Sequence, residues 1–189
     1  MSNLKIFSDN ITVTNKRVIV RLDLNVPINK LIIEDHTRIE IVEPFLNQLI
    51  RKKAKVILLS HLGRPKGKVI SEMSLKPIFN YLKKKLKVKI YFFENKIDDK
   101  AVNASKKLKP GEILLIENIR FFKEEEDNDE NFAESLSKLG DIYINEAFSC
   151  SHRKHASVHS ITKFIPSYSG IQLEAEVNSL IKITSNIKR

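Results

Sequence analysis

Four short apolar runs in this chain each end in a patch of polar or basic side chains. The runs and the polar residues that follow them are Val18–Leu22 with Asp23 and Asn25, Val56–Leu59 with His61 and Arg64, Ile113–Ile116 with Asn118 and Arg120, and Ile142–Ile144 with Asn145, His152 and Arg153. Short apolar runs separated by helical patterns are typical of strands in a parallel sheet. Because ligands of open α/β sheets bind outside the carboxyl ends of the strands, we expect the patches to meet at one edge. Arginines gathered there would form a pocket for phosphate or carboxylate.

The spacing of strands and helices predicts a single α/β domain with an open, mainly parallel, Rossmann-like sheet in three layers, with helices on both faces. The chain has 189 residues, enough for one such domain, and shows no internal repeat or linker. The predicted strands are Val18–Leu22, Val56–Leu59, Val88–Phe93, Glu112–Ile116 and Asp141–Asn145, with a small hairpin at Leu31–Ile33. The first predicted helix is capped by Asp35 or Thr37 and runs to about Lys53. The other predicted helices cover Leu75–Leu86, Asp98–Leu108, Asn131–Leu139 and Gln172–Ile183.

The secondary structure is not decided by the sequence at two places, Pro44 and the acidic residues Glu124–Glu130. Pro44 lies inside the first predicted helix and favours a kink or a later start, because proline lacks the N–H that a helix interior uses. The acidic stretch Glu124–Glu130 would suit the positive N-terminal end of the helix that follows it. A solvated, charged loop is an equally good interpretation of the same residues.

The composition is that of a globular protein with a strong excess of positive charge. Hydrophobic residues make up 42%, charged residues 30%, and the net charge is +10. Nucleic acid is a disfavoured partner, because the lysines are scattered and no stacking aromatics accompany them. Cys150 is the single cysteine, which excludes an internal disulfide and fits a reducing compartment. Met1–Thr12 lacks a signal-peptide pattern and no apolar run approaches the ~20 residues of a membrane span, so we expect a cytoplasmic protein without a membrane partner.

Polar side chains at the predicted strand ends are the candidates for ligand binding. Asp23 and Asn25 are two residues apart on one strand, so they share a face and together offer acceptors and donors to a substrate hydroxyl. His61 has the chemistry of a general base, but beside Arg64 it is better interpreted as a donor to an anion. The guanidinium groups whose forks fit phosphate and carboxylate are those of Arg38, Arg64, Arg120 and Arg153. One such arginine alone would favour a surface ion pair, whereas several at strand ends favour a shared anion site.

A zinc site is an alternative for the cluster of Cys150, His152, His155 and His159. We disfavour it because Arg153 and Lys154 lie among these residues and would repel a cation. The spacing also lacks the paired Cys-x-x-Cys element of structural zinc sites. We therefore predict no metal ligands in this chain.

Four segments, in order, carry a resemblance to a known family. They are Lys16–Pro27 (KRVIVRLDLNVP), Ser60–Pro65 (SHLGRP), Leu115–Phe121 (LIENIRF) and Asn145–Phe148 (NEAF), the last followed by His152 and Arg153. The first resembles the signature of the phosphoglycerate kinases, and the others resemble further motifs of that family. Several uncommon segments in the family's order are more specific than one loose pattern.

The resemblance implies phosphoryl transfer between 1,3-bisphosphoglycerate and ADP, which gives 3-phosphoglycerate and ATP. Arg38 would be the catalytic arginine, facing the C1 carboxylate and the migrating phosphoryl group. Asp23 and Asn25 would hold the glycerate hydroxyl region. The backbone of Leu24, Leu62 and Gly63 would shape the pocket. The non-reacting 3-phosphate would be held by His61, Arg64, Arg120 and Arg153.

The resemblance also implies one lobe of a two-lobe kinase. Residues 1–189 would be the N-terminal, phosphoglycerate-binding domain, and the C-terminal nucleotide-binding domain would be absent. Mg-ATP or Mg-ADP would serve the full-length enzyme, and we expect no cofactor on this chain. The expected partners are 3-phosphoglycerate or 1,3-bisphosphoglycerate and the missing lobe, with the chain a monomer that is inactive alone. The alternatives are a stand-alone phosphoglycerate-binding or interaction module, and an unrelated phosphate-binding α/β domain.

The chain departs from the family pattern around its fourth motif. The family usually has Asp where Glu146 stands, and Gly-Thr-Ala where Ser149-Cys150-Ser151 stands. The bulkier side chains could move the loop that carries His152 and Arg153.

Overall fold

The computed structural model describes residues 5–186, so both ends of the predicted 1–189 domain lie outside the described residues. Its strands are β1 (Arg17–Arg21), β2 (Ile28–Asn29), β3 (Ile32–Ile33), β4 (Lys55–Leu59), β5 (Ile90–Phe93), β6 (Ile113–Ile116), β7 (Ile142–Asn145) and β8 (Ser167–Ser169). Its helices are α1 (Thr37–Arg51), α2 (Lys76–Lys85), α3 (Asp99–Lys107), α4 (Lys123–Glu126), α5 (Glu130–Ser137) and α6 (Ile171–Asn186). Over this part of the chain, no helix combines the length and apolarity that a membrane crossing requires.

Six strands form one sheet in the order β5-β6-β4-β1-β7-β8. Each pairing between neighbours is parallel, from β5 with β6 to β7 with β8. The strands β2 and β3 form a separate antiparallel hairpin. The predicted parallel α/β sheet and the hairpin are therefore confirmed.

Side chains of the central strands alternate between two hydrophobic cores, one on each face of the sheet. On β1, Val18 and Val20 join the core that contains the buried residues of α1 and α2. Ile19, between them, joins the opposite core with residues of α3 and α5. This period of two is that of an extended strand buried on both faces, and it confirms the three-layer arrangement.

The chain leaves β1 and β7, two neighbouring strands, toward opposite faces of the sheet. Helix α1 follows β1 and packs in the first core, whereas Ile161, in the 3₁₀ turn Ser160–Lys163 after β7, packs in the second. Loops that diverge in this way leave a crevice between adjacent carboxyl ends, which is where open α/β sheets bind ligands.

The structure differs from the sequence prediction in three places. Helix α1 begins at Thr37 and continues past Pro44 to Arg51, so the proline does not delay its start. The acidic stretch contains the short helix α4, which buries one of its carboxylates, Glu125. The strand β8 was not predicted, because its sequence Ser167-Tyr168-Ser169 has no apolar run.

Candidate anion-binding site

The crevice between the ends of β1 and β7 contains an ion pair between Asp23 and Arg38. Arg38 Nη1 donates to Asp23 Oδ2, and the Ser149 hydroxyl donates to the same oxygen. The backbone N–H of Asn25 donates to the other carboxylate oxygen of Asp23 at 3.1 Å. The Arg38 side chain is 49% exposed and the Asp23 side chain 13%, so the arginine can reach solvent while the carboxylate is largely enclosed. A cavity of about 300 Å³ opens beside this pair, and Gln172 of α6 also lines it.

Hydrogen bonds join the loops after β1, β4 and β6 around Gly63. The Gly63 N–H donates to Asn25 Oδ1 at 2.8 Å, and its carbonyl accepts from Arg120 Nη1 at 2.9 Å. Gly63 has φ +63°, and a Cβ at this position would lie 2.9 Å from Met73 Sδ. The positive φ favours glycine here, and a larger residue would also have to displace the Met73 side chain. The result is that side chains more than 90 residues apart meet at one edge of the sheet.

Arg120 is almost fully buried and is only partly paired. Its side chain is 3% exposed, with Nε at 3.6 Å from Glu126 Oε1, too far for a hydrogen bond. Both Nε and Nη2 are buried and have no hydrogen-bond partner among residues 5–186. Burial lowers the pKa of Arg120, and Arg153 and Arg21 lower it further. Two buried donors on one cation are a strong signal for an anionic ligand, because leaving them unpaired is costly.

His61 lies beside Arg120 and is tied to a buried arginine of β1. Arg21 Nη2 is 3.1 Å from His61 Nδ1, and Arg21 is fully buried. Burial lowers the pKa of His61 to about 2, and Arg21, Arg120, Arg153 and His155 reinforce the shift. The imidazole is therefore neutral at physiological pH and is unsuited to act as a cationic phosphate ligand.

Glu125 provides a buried carboxylate beside this cluster. Its carboxylate accepts from the N–H of Ser157 at 2.9 Å and from the Ser157 hydroxyl at 2.6 Å. The Ser157 hydroxyl in turn accepts from Arg21 Nε at 3.0 Å. Burial raises the pKa of Glu125, although Arg21 and the Ser157 hydrogen bonds oppose the shift. His155 stands 3.8 Å from Glu125, and burial lowers the pKa of His155 to about 4.

The remaining predicted residues surround the Arg120–His61 cluster and differ in exposure and in hydrogen bonding. Arg153 is half-buried, donates from Nε to His152 at 3.2 Å, and is close enough to lower the pKa of His61. Arg64 follows Gly63 but is exposed, and it forms no ion pair within the described chain. The backbone groups of the two leucines are already used inside the protein: the Leu24 N–H donates to Ser60 Oγ at 3.0 Å, and the Leu62 carbonyl accepts from Asn118 at 2.7 Å.

The unusual residues of the fourth motif pack into the site rather than away from it. The 3₁₀ turn Phe148–Cys150 brings Ser149 to Asp23 and buries Cys150, whose Sγ is 3.9 Å from His61 Nδ1. Glu146 accepts from the N–H of Gln172 at 3.0 Å and so holds the start of α6. Among residues 5–186, no three His, Cys, Asp or Glu side chains are grouped closely enough to hold a metal ion.

Sequence reasoning missed four residues of the site: Arg21, Ser149, Glu125 and Ser157. Arg21 had a usable signal, since it is a charged residue at the end of a strand that is otherwise apolar. Glu125 had none, because it lies among several acidic neighbours and only the tertiary fold buries it.

Comparison with known proteins points to one family. The model of the family "Phosphoglycerate kinase" matches residues 8–189. A phosphoglycerate kinase of Rhizobium meliloti is 46% identical over 185 residues, which are 98% of this chain and 46% of the relative. One of Finegoldia magna is 46% identical over 189 residues and is covered to 48%. The chain therefore spans about half the length of the curated relatives it matches.

Solved structures give the same result. The phosphoglycerate kinase of Coxiella burnetii superposes with a TM-score of 0.85 at 34% identity, over 94% of this chain and 44% of that one. The enzyme of Pyrococcus horikoshii has a TM-score of 0.85 at 28% identity, over 97% of this chain and 47% of that one.

Proposed function

Because this chain belongs to the phosphoglycerate kinase family, we propose that it forms the phosphoglycerate-binding part of an enzyme that interconverts 1,3-bisphosphoglycerate plus ADP with 3-phosphoglycerate plus ATP. In this proposal residues 1–189 act as an N-terminal domain. The magnesium nucleotide binds to a second domain beyond the half of the relatives that the chain matches. The free thiol of Cys150 suits the cytosol, where we propose that the enzyme acts.

The unpaired guanidinium of Arg120 is the observation that carries the proposal. Its Nε and Nη2 are buried donors without partners among the described residues, at the edge of the sheet where ligands bind. A phosphate or carboxylate is the group that satisfies two parallel donors of one guanidinium. We propose that the 3-phosphate of the substrate binds here, between Arg120, Arg153 and the exposed Arg64.

The Asp23–Arg38 pair supplies the reacting end of the proposed site. Asp23 and Asn25 hold the glycerate hydroxyl, and Arg38 turns to the C1 carboxylate and the transferred phosphoryl group. Phosphoryl transfer needs positioning and neutralisation of spreading charge more than covalent chemistry, and a permanently charged guanidinium provides both. Arg38 is half-exposed, so it can leave Asp23 without unfolding its surroundings.

Release of Arg38 is made easier by the other donors to Asp23. When Arg38 turns to the substrate, the Asp23 carboxylate keeps hydrogen bonds from the Ser149 hydroxyl and the Asn25 N–H. A carboxylate that stays hydrogen-bonded costs less to separate from its counter-ion than one left bare. Ser149 therefore contributes to ligand binding through Asp23.

Calorimetric titration of the chain with 3-phosphoglycerate tests the binding half of the proposal, with glycerate as the matched ligand that lacks the phosphate. We expect weak binding of 3-phosphoglycerate and at least tenfold weaker binding of glycerate. Equal affinities would contradict an anion site at Arg120, and no heat from either ligand with a folded sample would contradict phosphoglycerate binding altogether.

A protein that contains both domains tests the catalytic half. In a coupled ATP assay, Arg38→Ala should reduce kcat more than Arg64→Ala, because only Arg38 faces the reacting group in the proposed arrangement. The Arg64 change should act mainly on KM. Equal reductions in kcat would contradict the assigned roles, and an unchanged kcat with Arg38→Ala would remove Arg38 from the transition state.

A further inference from the structure

We infer that Arg21, which is inaccessible to any ligand, is a positioning residue that holds His61 as the neutral tautomer with its proton on Nε2. The geometry of the Arg21–His61 contact carries this inference. Arg21 Nη2 lies 3.1 Å from His61 Nδ1. A guanidinium has only donors, so Nδ1 must accept, and the ring proton of the neutral imidazole must then be on Nε2.

Arg21 is itself fixed, so the contact is rigid. Its Nε donates to Ser157 Oγ at 3.0 Å, and Nη1 donates to the carbonyl of Leu22. Ser157 is oriented by Glu125, whose carboxylate accepts both its N–H and its hydroxyl. Each of the three guanidinium nitrogens of Arg21 therefore has an acceptor, and one of those acceptors is the histidine.

The second group near Nδ1 favours the same tautomer. Cys150 Sγ is 3.9 Å from this nitrogen, and a thiol can donate to it. Nδ1 therefore faces two donors inside the protein. Nε2, on the other side of the ring, has no hydrogen-bond partner within residues 5–186, which leaves its N–H for a ligand.

The charged groups around His61 also exclude the imidazolium. Arg21 on β1, Arg120 after β6, and Arg153 and His155 after β7 all disfavour a positive charge on the ring, and burial disfavours it most. These elements surround His61 with three guanidinium groups, the neutral ring of His155 and the Cys150 thiol. The ring thus gives the anion one neutral N–H donor over the whole physiological pH range. The tautomer follows from the contacts themselves, while its use in binding phosphoglycerate rests on the proposed function.

The direct test is the long-range ¹H–¹⁵N spectrum of the imidazole rings in the unliganded chain, recorded from pH 8 to pH 5. We expect His61 to show a protonated Nε2 and an unprotonated Nδ1 throughout. The exposed rings of His152 and His159 supply solvent-facing reference signals in the same spectra. A proton on Nδ1, or an imidazolium at pH 6, would overturn the inference.

Two substitutions of Arg21 distinguish its role in positioning His61 from a general role in folding. Arg21→Met removes the donor, so His61 should become a mixture of tautomers, while burial should still disfavour the imidazolium. Arg21→Lys keeps a donor, and should retain most of the Nε2–H form. An unchanged His61 spectrum in folded Arg21→Met would overturn the inference, and the wild-type spectrum alone decides the tautomer where that variant does not fold.

Binding of 3-phosphoglycerate provides the functional readout. The dissociation constants of wild type, Arg21→Met and Arg21→Lys are measured at pH 8, where an ordinary histidine is also neutral. Arg21→Met should bind at least about twofold more weakly than Arg21→Lys, since only rings with the proton on Nε2 can donate to the ligand. Equal dissociation constants for the two variants would contradict the role of Arg21. Absence of binding to the wild type, with the expected spectrum, would contradict the proposed function but not the tautomer.

Discussion

Replacement of Arg120 by methionine should stabilise the unliganded protein and weaken ligand binding at the same time. Among residues 5–186, the guanidinium has two buried donors without partners and a single direct hydrogen bond, to the Gly63 carbonyl at 2.9 Å. Each unpaired buried donor costs about 1–3 kcal/mol, whereas the hydrogen bond contributes about 1 kcal/mol. Methionine matches the aliphatic stem of arginine and has no donor to leave unpaired. It also removes a positive charge that faces Arg21 and Arg153.

These terms predict that Arg120→Met raises the free energy of unfolding by about 1–2 kcal/mol, or the Tm by about 3–6 °C for a chain of this size. Ligand binding changes in the opposite sense. Loss of two charge-assisted hydrogen bonds of about 1.5 kcal/mol each weakens the affinity for 3-phosphoglycerate about 100-fold. Under saturating ligand the wild type should therefore become the more stable protein, because binding stabilises only a folded state that retains affinity.

The assay is urea unfolding with and without 3-phosphoglycerate, in a buffer free of phosphate and sulfate. Arg64→Met is the matched control, because it makes the same chemical change on an exposed side chain. It should alter the unliganded stability by less than about 0.5 kcal/mol. The reasoning fails if Arg120→Met is less stable than the wild type without ligand, or if its affinity for 3-phosphoglycerate is unchanged.

Three other substitutions test separate parts of the structure. Gly170→Ala should lower the free energy of unfolding by about 2–3 kcal/mol, because the new Cβ would lie 1.8 Å from Glu146 Oε2. In the double variant, the shorter side chain of Glu146→Asp should restore at least about 1 kcal/mol of that free energy. His61→Gln should lose less stability than the wild type as the pH falls. Below pH 6.5 the unfolded wild type binds a proton at His61, whereas the folded ring, with a pKa of about 2, stays neutral. This difference lowers the free energy of unfolding of the wild type by about 2 kcal/mol at pH 5, and the glutamine variant does not have it. An equal slope in both proteins would contradict this pKa. Ser149→Ala should weaken 3-phosphoglycerate binding about fivefold, as Asp23 loses a donor that replaces Arg38, and unchanged or tighter binding would contradict that role.

The sheet and its ligand edge could be predicted because their signals are local. Each central strand is an apolar run, and each run is followed at once by the polar residues that line the crevice. Strand β8 could not be predicted, because it forms at the sheet edge only through distant partners. Its Tyr168 pairs with Ile144, and its Ser169 exchanges backbone hydrogen bonds with Lys5 and Phe7 near the start of the chain. Such pairing leaves no periodic pattern in the strand itself.

The ligand-facing residues were easier to predict than the residues that support them. Asp23 and Asn25 share a short motif, whereas Arg21 is held in place by Ser157, which lies 136 positions away in the sequence. Glu125 resembles the neighbouring acids Glu124 and Glu126, and its burial depends on how α4 docks against the segment after β7. Only the tertiary structure distinguishes a solvated carboxylate from one that orients a buried arginine.

The neutral state of His61 explains how so many cations can share one buried site. Arg21 and Arg120 are both buried, and Glu125 is the carboxylate that faces them from within the protein. A third buried positive charge on His61 would add repulsion without a counter-ion, and such charges are expensive at low dielectric. By accepting a hydrogen bond from Arg21, the ring pairs one guanidinium and avoids charging itself. Within residues 5–186, Arg120 is then the buried cation with two guanidinium nitrogens that lack hydrogen-bond partners. An anion that binds at this position would supply the missing acceptors.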